Sequence, residues 1–244
     1  MNIDLSKYDF FKSLESVTLS LLSQQGFSNK NYRFEYENNS YLLRKFILQD
    51  RDRTLEYKVQ TLAYEEGIAA KPFVLDLANQ LMISEFLPGD HKVLLSKKEL
   101  ISLVKVLKKV HAIEVDAKVL DLKELFNSQS TEVKEAFVAI ETFPRTLSLC
   151  HNDLNPKNIL FFNEKLKLID WEFAGLNDVY FDLACVSVEF KLNKKDEVLM
   201  MESYFEKEKW HEEKLEAYKT IYIALCEQWF EDLVTPPSQT SLSS

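Results

Sequence analysis

Residues 149–162 place a cluster of polar side chains directly before an apolar segment. His151, Asp153, Asn155 and Asn158 fall within one short window, and the run Ile-Leu-Phe-Phe follows at once. A short apolar run with aromatic and β-branched members indicates a buried strand. The sequence therefore predicts a polar site that is carried by the hydrophobic core.

Three side chains around this strand carry oxygen atoms that suit a hard cation. Asp153 and Asn158 precede the predicted strand 159–162, and Asp170 ends the predicted strand 166–170. A tight hairpin between the two strands brings the three side chains together. Magnesium prefers oxygen ligands and is often held by one or two carboxylates plus phosphates. Because phosphoryl transfer also needs a proton acceptor, we predict Asp153 as the catalytic base and Asn158 and Asp170 as metal ligands.

Other kinds of site fit this window less well. Asp153, Asn155 and Glu164 have the spacing of a calcium loop, but Lys157 stands at a ligand position and Asn158 replaces the turn glycine. A zinc site is disfavoured because the four histidines are scattered and no cysteine has a partner at zinc-site spacing. An Asx-capped surface turn is the alternative for any one of these residues alone.

The charge and the cysteines limit the partners and the compartment. The net charge of −9 disfavours nucleic acid, because binding to a phosphate backbone depends on clustered Lys and Arg. A small cationic partner suits this charge better. Cys150, Cys185 and Cys226 are widely spaced and odd in number, which favours reduced thiols in a cytoplasmic protein. The N-terminal segment predicts neither a signal peptide nor a membrane anchor, and the oligomeric state is left open.

The first part of the chain predicts a small lobe of helices and antiparallel strands. Apolar residues from Phe10 to Leu22 recur at helical spacing and stop at Gly26, which predicts an amphipathic helix. The following segments alternate polar and apolar residues or carry charged helical patterns. They predict a hairpin over 32–48, a helix over 50–66 and a second hairpin over 73–86.

The second part of the chain predicts a mostly helical lobe. Ser96 and Glu99 form a capping box for a helix that runs to about His111. The predicted elements after it are a helix over 130–142, strands at 147–150, 159–162 and 166–170, and helices to about 234. The sequence thus predicts an α+β fold with an N-terminal lobe over 1–89, a hinge near 84–91, a C-terminal lobe over 90–234 and a disordered tail over 235–244.

The polar motifs resemble those of a known family. The stretches HNDLNPKNIL and IDWEFAG, with the Ile-Asp pair ending twelve residues after Asn158, and DLA at 182–184, are similar to the choline/ethanolamine kinase and aminoglycoside phosphotransferase branch of the protein-kinase-like superfamily. The HRD, DFG and APE motifs of protein kinases are missing, and the chain has only four glycines. The segment GFSNKNYRFEYENNSYLLRKF is similar to the nucleotide loop of bacterial LicA-type choline kinases, so the match covers about 26–190.

The resemblance implies a two-lobed protein-kinase-like fold with ATP and Mg²⁺ between the lobes. In that case Ser28 and Asn29 lie over the nucleotide phosphates, where an Asn-rich turn stands in place of glycines. The segment ISEFLPG is the implied hinge, and the backbone at Glu85 and Phe86 is expected to bind adenine.

The resemblance also implies an ion pair that positions the phosphates. Arg44 stands where other kinases have a strand lysine, and Glu56 on the following helix is its expected partner. A guanidinium can hold phosphate or carboxylate through two bonds. An exposed strand charge is the alternative for Arg44, and Glu65 and Glu66 on the same helix are alternatives to Glu56.

Two further residues are expected to orient the catalytic loop. No Ser or Cys is placed as a nucleophile for His151, so a catalytic triad has little support. We expect His151 to hold the loop in place, with Asp182 as the acceptor behind it.

The acceptor site is expected to combine aromatic faces with a carboxylate. A quaternary ammonium is recognised by such faces and benefits from a nearby acid. Trp171 and Tyr180 are candidates as aromatic residues of the C-terminal part, and Glu172 and Trp229 are candidates by resemblance to choline kinases. The alternative for Trp229 is ordinary core, because Tyr218, Tyr222, Leu225 and Trp229 form an apolar helical stripe.

These observations lead to one expected function. The chain is predicted to be an ATP- and Mg²⁺-dependent kinase that phosphorylates the hydroxyl of choline or a related amino alcohol. An aminoglycoside or thiamine phosphotransferase is the alternative among enzymes. A non-catalytic pseudokinase is the alternative from another class, although Asp153, Asn158 and Asp170 are all present.

Overall fold

The computed structural model has two lobes, as the sequence predicts, with a five-stranded antiparallel sheet in one and mostly helices in the other. It describes residues 2–14, 17–23, 25, 28–48, 50–163 and 165–234. The predicted tail over 235–244 and Gly26 lie outside the described residues. Within these residues, no helix is both long enough and apolar enough to cross a membrane.

The N-terminal lobe is built on the five-stranded sheet, which has the order β3-β4-β5-β7-β6. Both predicted hairpins are confirmed. The first turns at Glu37 and Asn38, which have φ angles of 48° and 61°, the left-handed backbone that a two-residue hairpin turn requires. The strands are β1 (Asn2–Ile3), β2 (Val17–Thr18), β3 (Ser20–Leu21), β4 (Asn29–Tyr36), β5 (Asn39–Phe46), β6 (Pro72–Asp76) and β7 (Leu81–Glu85).

The predicted N-terminal amphipathic helix is wrong. The described part of this segment holds a short 3₁₀ helix (Asp9–Phe11) and then strands β2 and β3. Val17 and Leu19 are buried while Thr18 and Ser20 are exposed, which is the two-residue period of a strand. Pairing with the sheet therefore determines the structure of this segment, and its apolar residues also satisfy a helical spacing by coincidence.

Helix α1 (Arg53–Glu65) follows the sheet and confirms the helix predicted over 50–66. It begins where the Asp52 side chain accepts a hydrogen bond from the Leu55 backbone N–H, a normal N-cap. Its buried face carries two ionised side chains, Arg53 and Glu56. Charged residues are rarely buried unless they are paired, so this face of α1 points to a site.

The C-terminal lobe surrounds a central helix, α4, whose residues are nearly all buried. The predicted capping box at Ser96 and Glu99 is confirmed. The helices are α2 (Lys97–Ala112), α3 (Thr131–Glu141), α4 (Val179–Glu189), α5 (Lys194–Phe205) and α6 (Glu212–Val234).

Four short strands form two antiparallel pairs at the edge of this lobe that faces the sheet. They are β8 (Leu147–Cys150), β9 (Ile159–Phe162), β10 (Lys165–Leu168) and β11 (Gly175–Asp178). β9 pairs with β10, and β8 pairs with β11. The strand predicted over 166–170 ends at Leu168, so Asp170 lies in a loop. Residues 175–178 were expected to be helical, but they pair with β8 and Asp178 then caps α4.

The connection between the lobes is fixed to β9. Asp90 and Phe161 exchange two backbone hydrogen bonds of 3.0 Å. This pairing brings the backbone of Gly89 against the strand: a β-carbon there would lie 3.1 Å from the Phe161 carbonyl oxygen and 3.2 Å from Leu160 Cβ. Glycine is thus required by the close approach of two backbones.

Replacing Gly89 by alanine should therefore destabilise the protein. Overpacking of this kind costs about 1–3 kcal/mol of unfolding free energy, measurable by urea denaturation. Gly175→Ala is the matched control, because its β-carbon meets only the Lys118 carbonyl oxygen at 3.8 Å. A Gly89→Ala protein as stable as the Gly175→Ala protein would contradict this account of the connection.

Candidate active site

The loop between β8 and β9, residues 151–158, holds Asp153 through two asparagines. Asn158 Nδ2 donates to Asp153 Oδ2 at 2.7 Å and to its carbonyl oxygen at 2.9 Å. Asn155 Nδ2 donates to Asp153 Oδ1 at 2.8 Å. Because the amide nitrogen of Asn158 makes both of its bonds, the amide oxygen is left to act as a ligand.

The loop after β10 brings Asp170 to the same place. The Ile169 N–H donates to the Asn158 carbonyl oxygen at 3.0 Å, which extends the β9–β10 pairing by one bond. Asp170 itself has a φ angle of 64°, a left-handed conformation that Asp tolerates better than most residues. Asp153, Asn158 and Asp170 thus lie together, as the tight hairpin predicted.

The carboxylates of this cluster resist ionisation. Burial raises the pKa of Asp153 above its ordinary value, although the bonds from Asn155 and Asn158 oppose the change. Burial also raises the pKa of Asp170, to about 6, against the attraction of Arg44. A divalent cation would relieve this cost, because it stabilises the charged form of a nearby acid. The donor set of one amide oxygen and carboxylates therefore fits Mg²⁺.

Arg44 on β5 reaches two carboxylates, one from each lobe. Its Nη1 lies 2.6 Å from Glu56 Oε1, and its Nη2 lies 2.5 Å from Asp170 Oδ1. Burial opposes the charge of Arg44, but these two carboxylates hold its pKa above the ordinary value. Among the three acids considered on α1, Glu56 is therefore the partner, while Glu65 and Glu66 are exposed at the other end of the helix.

A second guanidinium completes this cluster. Arg53 Nη1 lies 2.7 Å from Glu56 Oε2 and 3.0 Å from Glu172 Oε2. Arg53 and Glu172 are both buried, with side chains 6% and 5% exposed. The structure pairs Glu172 with α1, and its predicted contact with the acceptor stays a prediction.

Ser28 and Asn29 lie at the start of β4, beside this cluster. In the amide orientation that satisfies both ends, Asn29 donates to the Ser28 carbonyl oxygen at 3.0 Å and accepts from Arg44 Nη2 at 2.8 Å. Asn29 is only 2% exposed. It therefore supports Arg44 from below the surface, and the expected phosphate contact is left to Ser28 and its neighbours.

The predicted hinge residues use their backbone N–H groups within the protein. The Glu85 N–H donates to the Lys71 carbonyl oxygen at 2.8 Å, and the Phe86 N–H donates to the Ser40 carbonyl oxygen at 3.0 Å. The Arg33 guanidinium lies over the Phe86 ring at 4.6 Å. A purine at this hinge would therefore have to use other backbone groups, so the predicted role of these two residues stays a prediction.

The Asp182 side chain on α4 accepts two hydrogen bonds from the backbone of the loop 151–158. Its Oδ2 accepts from the His151 N–H at 2.9 Å, and its Oδ1 accepts from the Asn152 N–H at 2.8 Å. His111 Nε2 lies 3.1 Å from Asp182 Oδ2, a contact that the sequence analysis missed. Asp182 therefore fixes the backbone just before Asp153.

The His151 ring joins the loop 151–158 to the loop after β10, which carries Asp170. Its Nε2 lies 3.0 Å from the Ile169 carbonyl oxygen, and its ring centroid lies 4.7 Å from that of Trp171. Burial lowers the pKa of His151, which favours the neutral imidazole as a hydrogen-bond donor to that carbonyl. His151 and Asp182 thus position the loop through separate contacts.

Two of the predicted acceptor aromatics lie inside the core. Trp171 is 1% exposed and packs against His151. Tyr180 is 3% exposed, and its hydroxyl accepts from the His211 N–H at 2.9 Å. These contacts give both rings a role in the fold, and the structure does not place either at a surface beside Asp153.

Trp229 differs from the helical stripe that precedes it. Tyr218 and Tyr222 are buried at 1% and 6% exposure, whereas Trp229 is 41% exposed. Trp229 is seven residues after Tyr222 on α6, so both lie on the same face of that helix. An ordinary core position is therefore wrong for Trp229, and a contact with the acceptor stays a prediction.

Glu189 is a candidate that the sequence analysis missed. Its Oε1 accepts a hydrogen bond from the Tyr222 hydroxyl at 2.7 Å. Burial is the main reason that the pKa of Asp153 is raised, and the charges of Glu172 and Glu189 raise it further. A signal was present, because Glu189 is two helical turns after Asp182 and therefore on the same face of α4.

Two cavities in the N-terminal lobe lie beside or away from this cluster, and the first of them is also lined by Arg53. One of about 340 Å³ lies beside the start of α1 and is lined by Phe46, Arg51 and Leu77, among others. One of about 240 Å³ lies between the N-terminal segment and the sheet, beside Lys7 and Asn79. Neither cavity is lined by a residue of the loop 151–158 or of the loop after β10. The candidate site is therefore located by its charges and hydrogen bonds.

Removing the Asp182 carboxylate should destabilise the protein. Asp182→Ala leaves the His151 and Asn152 N–H groups without these partners, which costs about 2–6 kcal/mol of unfolding free energy at about 1–3 kcal/mol each. Asp182→Asn keeps one acceptor and should lose less. Urea denaturation measures both, with exposed Asp116→Ala as the control. An Asp182→Ala protein of wild-type stability would refute this role.

Comparison with known proteins agrees with the geometry. LicA of Haemophilus influenzae is 25% identical over 222 residues, which cover 80% of this chain and 66% of LicA. The chain thus spans slightly less than two thirds of that relative. A thiamine kinase of Escherichia coli is 28% identical over 194 residues, covering 74% of this chain and 69% of the kinase.

Solved structures share the fold. The choline kinase LicA from Streptococcus pneumoniae has a TM-score of 0.71 and 22% identity, covering 94% of this chain and 91% of LicA. A LicA structure in complex with AMP has a TM-score of 0.69 and 21% identity, covering 92% of this chain and 88% of that one. These similarities confirm the two-lobed kinase-like fold.

A family model covers most of the chain. Residues 20–218 match the model described as the phosphotransferase enzyme family. The matched region contains both lobes, the Arg44–Glu56 pair and the cluster of Asp153, Asn158 and Asp170. The resemblance drawn from the sequence motifs is thereby confirmed, and the chain belongs to the phosphotransferase enzyme family.

Proposed function

We propose that this protein is an ATP- and Mg²⁺-dependent kinase that phosphorylates the hydroxyl of choline or a related amino alcohol. One observation carries the proposal: Asp153 is hydrogen-bonded to Asn158 at 2.7 Å, beside an Asp170 that Arg44 reaches from the other lobe at 2.5 Å. A base, a set of cation ligands and a phosphate-binding cation in one place are the parts that phosphoryl transfer needs.

The N-terminal lobe supplies the positive charge. Arg44 is kept in place by Glu56 at 2.6 Å, so its second guanidinium nitrogen is aimed at the metal loop. In this role Arg44 neutralises charge on the transferring phosphoryl group, which is usually the largest contribution to catalysis. Its present contact with Asp170 must give way when the nucleotide enters. The AMP complex of LicA supports the use of a nucleotide.

The C-terminal lobe supplies the base and the metal ligands. Asn158 and Asp170 are the residues that would hold Mg²⁺, which screens the charge of the phosphates when bound. Asp153 accepts the proton of the acceptor hydroxyl as its oxygen bonds to the γ-phosphorus, while the bond from that phosphorus to the β–γ bridging oxygen breaks and ADP leaves. Its raised pKa brings it closer to the operating pH than an ordinary aspartate, as suits a general base.

The charge around Asp153 supports a cationic acceptor. Glu189 adds a second carboxylate on the side of α4 and α6, where Tyr222 orients it. Trp229 offers an exposed aromatic face on the same side of α6 as Tyr222. A carboxylate and an aromatic face are what a quaternary ammonium binds, and choline joins such a group to a hydroxyl. The similarity of the fold to that of the choline kinase LicA from Streptococcus pneumoniae supports the same choice.

Thiamine is the second candidate. The similarity to a thiamine kinase extends over 74% of this chain, and thiamine is also an alcohol with a permanent positive charge. An aminoglycoside is a larger polycation and would need more acids around the site. A pseudokinase is disfavoured because Asp153, Asn158 and Asp170 are all present and lie together.

A product assay tests the proposal. The protein is mixed with ATP, Mg²⁺ and one acceptor at a time, and the phosphorylated acceptor is detected by mass spectrometry. Choline should give phosphocholine at a higher kcat/KM than ethanolamine, thiamine or kanamycin. If thiamine is the better substrate, the acceptor assignment changes. If no acceptor gives a product, the kinase assignment is abandoned.

Asp153→Asn should abolish most turnover without loss of nucleotide binding. A positioned proton acceptor contributes about 10²–10⁴ in rate, so kcat should fall by that factor while the Kd for ADP stays near the wild-type value. Exposed Asp116→Asn is the control for kcat. A kcat for Asp153→Asn within threefold of the wild type, roughly 0.7 kcal/mol in barrier, would rule out this base.

Glu189→Gln should weaken binding of the cationic acceptor. The amide keeps the size of the side chain and an oxygen for Tyr222, but it loses the charge. A hydrogen bond or contact to a charged group contributes about 1.5–3 kcal/mol, so KM for choline should rise about 10- to 100-fold with a smaller change in KM for ATP. The control is Glu213→Gln, an exposed acid on α6. An unchanged KM for choline would remove Glu189 from the acceptor site.

A further inference from the structure

The candidate site contains a buried cluster in which negative charge is in excess. Arg44 and Arg53 carry two positive charges, whereas Glu56, Asp170 and Glu172 carry three negative charges. Four direct ion pairs of 2.5–3.0 Å connect all five side chains. Each guanidinium therefore has two carboxylate partners, and the loss of either one changes the surroundings of the other.

Glu172 is a buried member of this cluster whose one guanidinium partner within it is Arg53. Its side chain is 5% exposed, and an unpaired buried carboxylate costs several kcal/mol. It is also two residues after Asp170, and it shares Arg53 with Glu56, the partner of Arg44, so it lies close to the cation intended for phosphate. Without its own partner, Glu172 would attract Arg44 and repel the nucleotide phosphates.

We propose that Arg53 is a positioning residue that neutralises Glu172 and fixes it against α1, so that Arg44 stays available for the nucleotide phosphates. The proposal rests on the nucleotide-binding part of the proposed function and is independent of which alcohol is phosphorylated. It also gives Glu172 a role in the nucleotide site in place of the acceptor contact that the sequence suggested.

The geometry of Arg53 suits this role. Its guanidinium carbon lies 4.2 Å from the centre of the Phe46 ring, which orients the group by stacking. Its Nη2 lies 3.4 Å from the Leu48 carbonyl oxygen, while Nη1 serves Glu56 and Glu172 together. A planar group that stacks and bonds on several sides is characteristic of arginine, and a lysine ammonium cannot reproduce it.

The proposal predicts a specific pattern of rescue. Arg53→Met leaves Glu172 charged beside Arg44, so nucleotide affinity should fall. If Glu172→Gln is added, the unpaired charge is gone, and nucleotide affinity should return. A residue that only stabilised the fold would not give this pattern, because the double variant lacks both partners and would be no better than Arg53→Met alone.

The test measures the Kd for ADP by isothermal titration calorimetry without any acceptor. We expect Arg53→Met to weaken binding at least about tenfold, since truncating one partner of a buried charge pair is costly. The double variant Arg53→Met/Glu172→Gln should lie within about threefold of the wild type. Lys58→Met is the matched control, because Lys58 is an exposed cation on the same helix.

Several results would overturn the proposal. An unchanged Kd in Arg53→Met would do so, and so would a double variant that binds as weakly as Arg53→Met. Arg53→Lys keeps the charge and serves if Arg53→Met does not fold; it should bind ADP more weakly than the wild type, and equal binding would also refute the role.

The Glu172→Gln protein supplies a separate readout. Its KM for the acceptor should stay unchanged, whereas a role of Glu172 in acceptor binding would raise that KM and overturn the proposal. Because the ADP measurements need no acceptor, a failure of choline as substrate would count against the proposed function and leave the role of Arg53 intact.

Discussion

The contact of Arg44 with both Glu56 and Asp170 is the constraint on which the site depends. It joins β5, α1 and the loop after β10. Arg44 and Asp170 are 126 residues apart in the sequence. Buried charges of this kind are costly unless every partner is in place, so the position of α1 and the position of the metal loop are not independent. The two lobes are thereby held so that Arg44 faces Asp170, one of the proposed metal ligands.

The sequence predicts those elements whose signals are local. Both N-terminal hairpins follow from alternation and turn residues, and α2 follows from its capping box at Ser96. The prediction of an N-terminal helix was wrong because the apolar spacing of residues 10–22 fits both a helical and a strand period. Only pairing with other strands decides between them. The helical prediction for residues 175–178 was wrong for the same reason, because their partner strand β8 lies far away in the sequence.

The residues of the candidate site also divide into those with a local sequence signal and those without one. Asp153, Asn158 and Asp170 could be located from the motif because its spacing implies a hairpin, and Glu56 could be proposed as partner of Arg44. The direction of a side chain could not be predicted from the motif. Trp171 and Tyr180 are buried in the core, and Glu172 pairs with Arg53. His111 and Glu189 act through contacts with distant helices, which no local pattern reveals apart from the two-turn spacing on α4.

The central claim is that Asn158 and Asp170 hold a divalent cation that faces a phosphate-bound Arg44. A crystal structure with Mn²⁺ and a non-hydrolysable ATP analogue tests it most directly, because Mn²⁺ gives an anomalous signal. The account predicts an anomalous peak about 2.1 Å from Asn158 Oδ1 and from an Asp170 oxygen, a distance close to that of Mg²⁺ ligands, with Arg44 turned from Asp170 to a phosphate. A metal bound elsewhere, or Arg44 still paired with Asp170 beside the bound nucleotide, would contradict it.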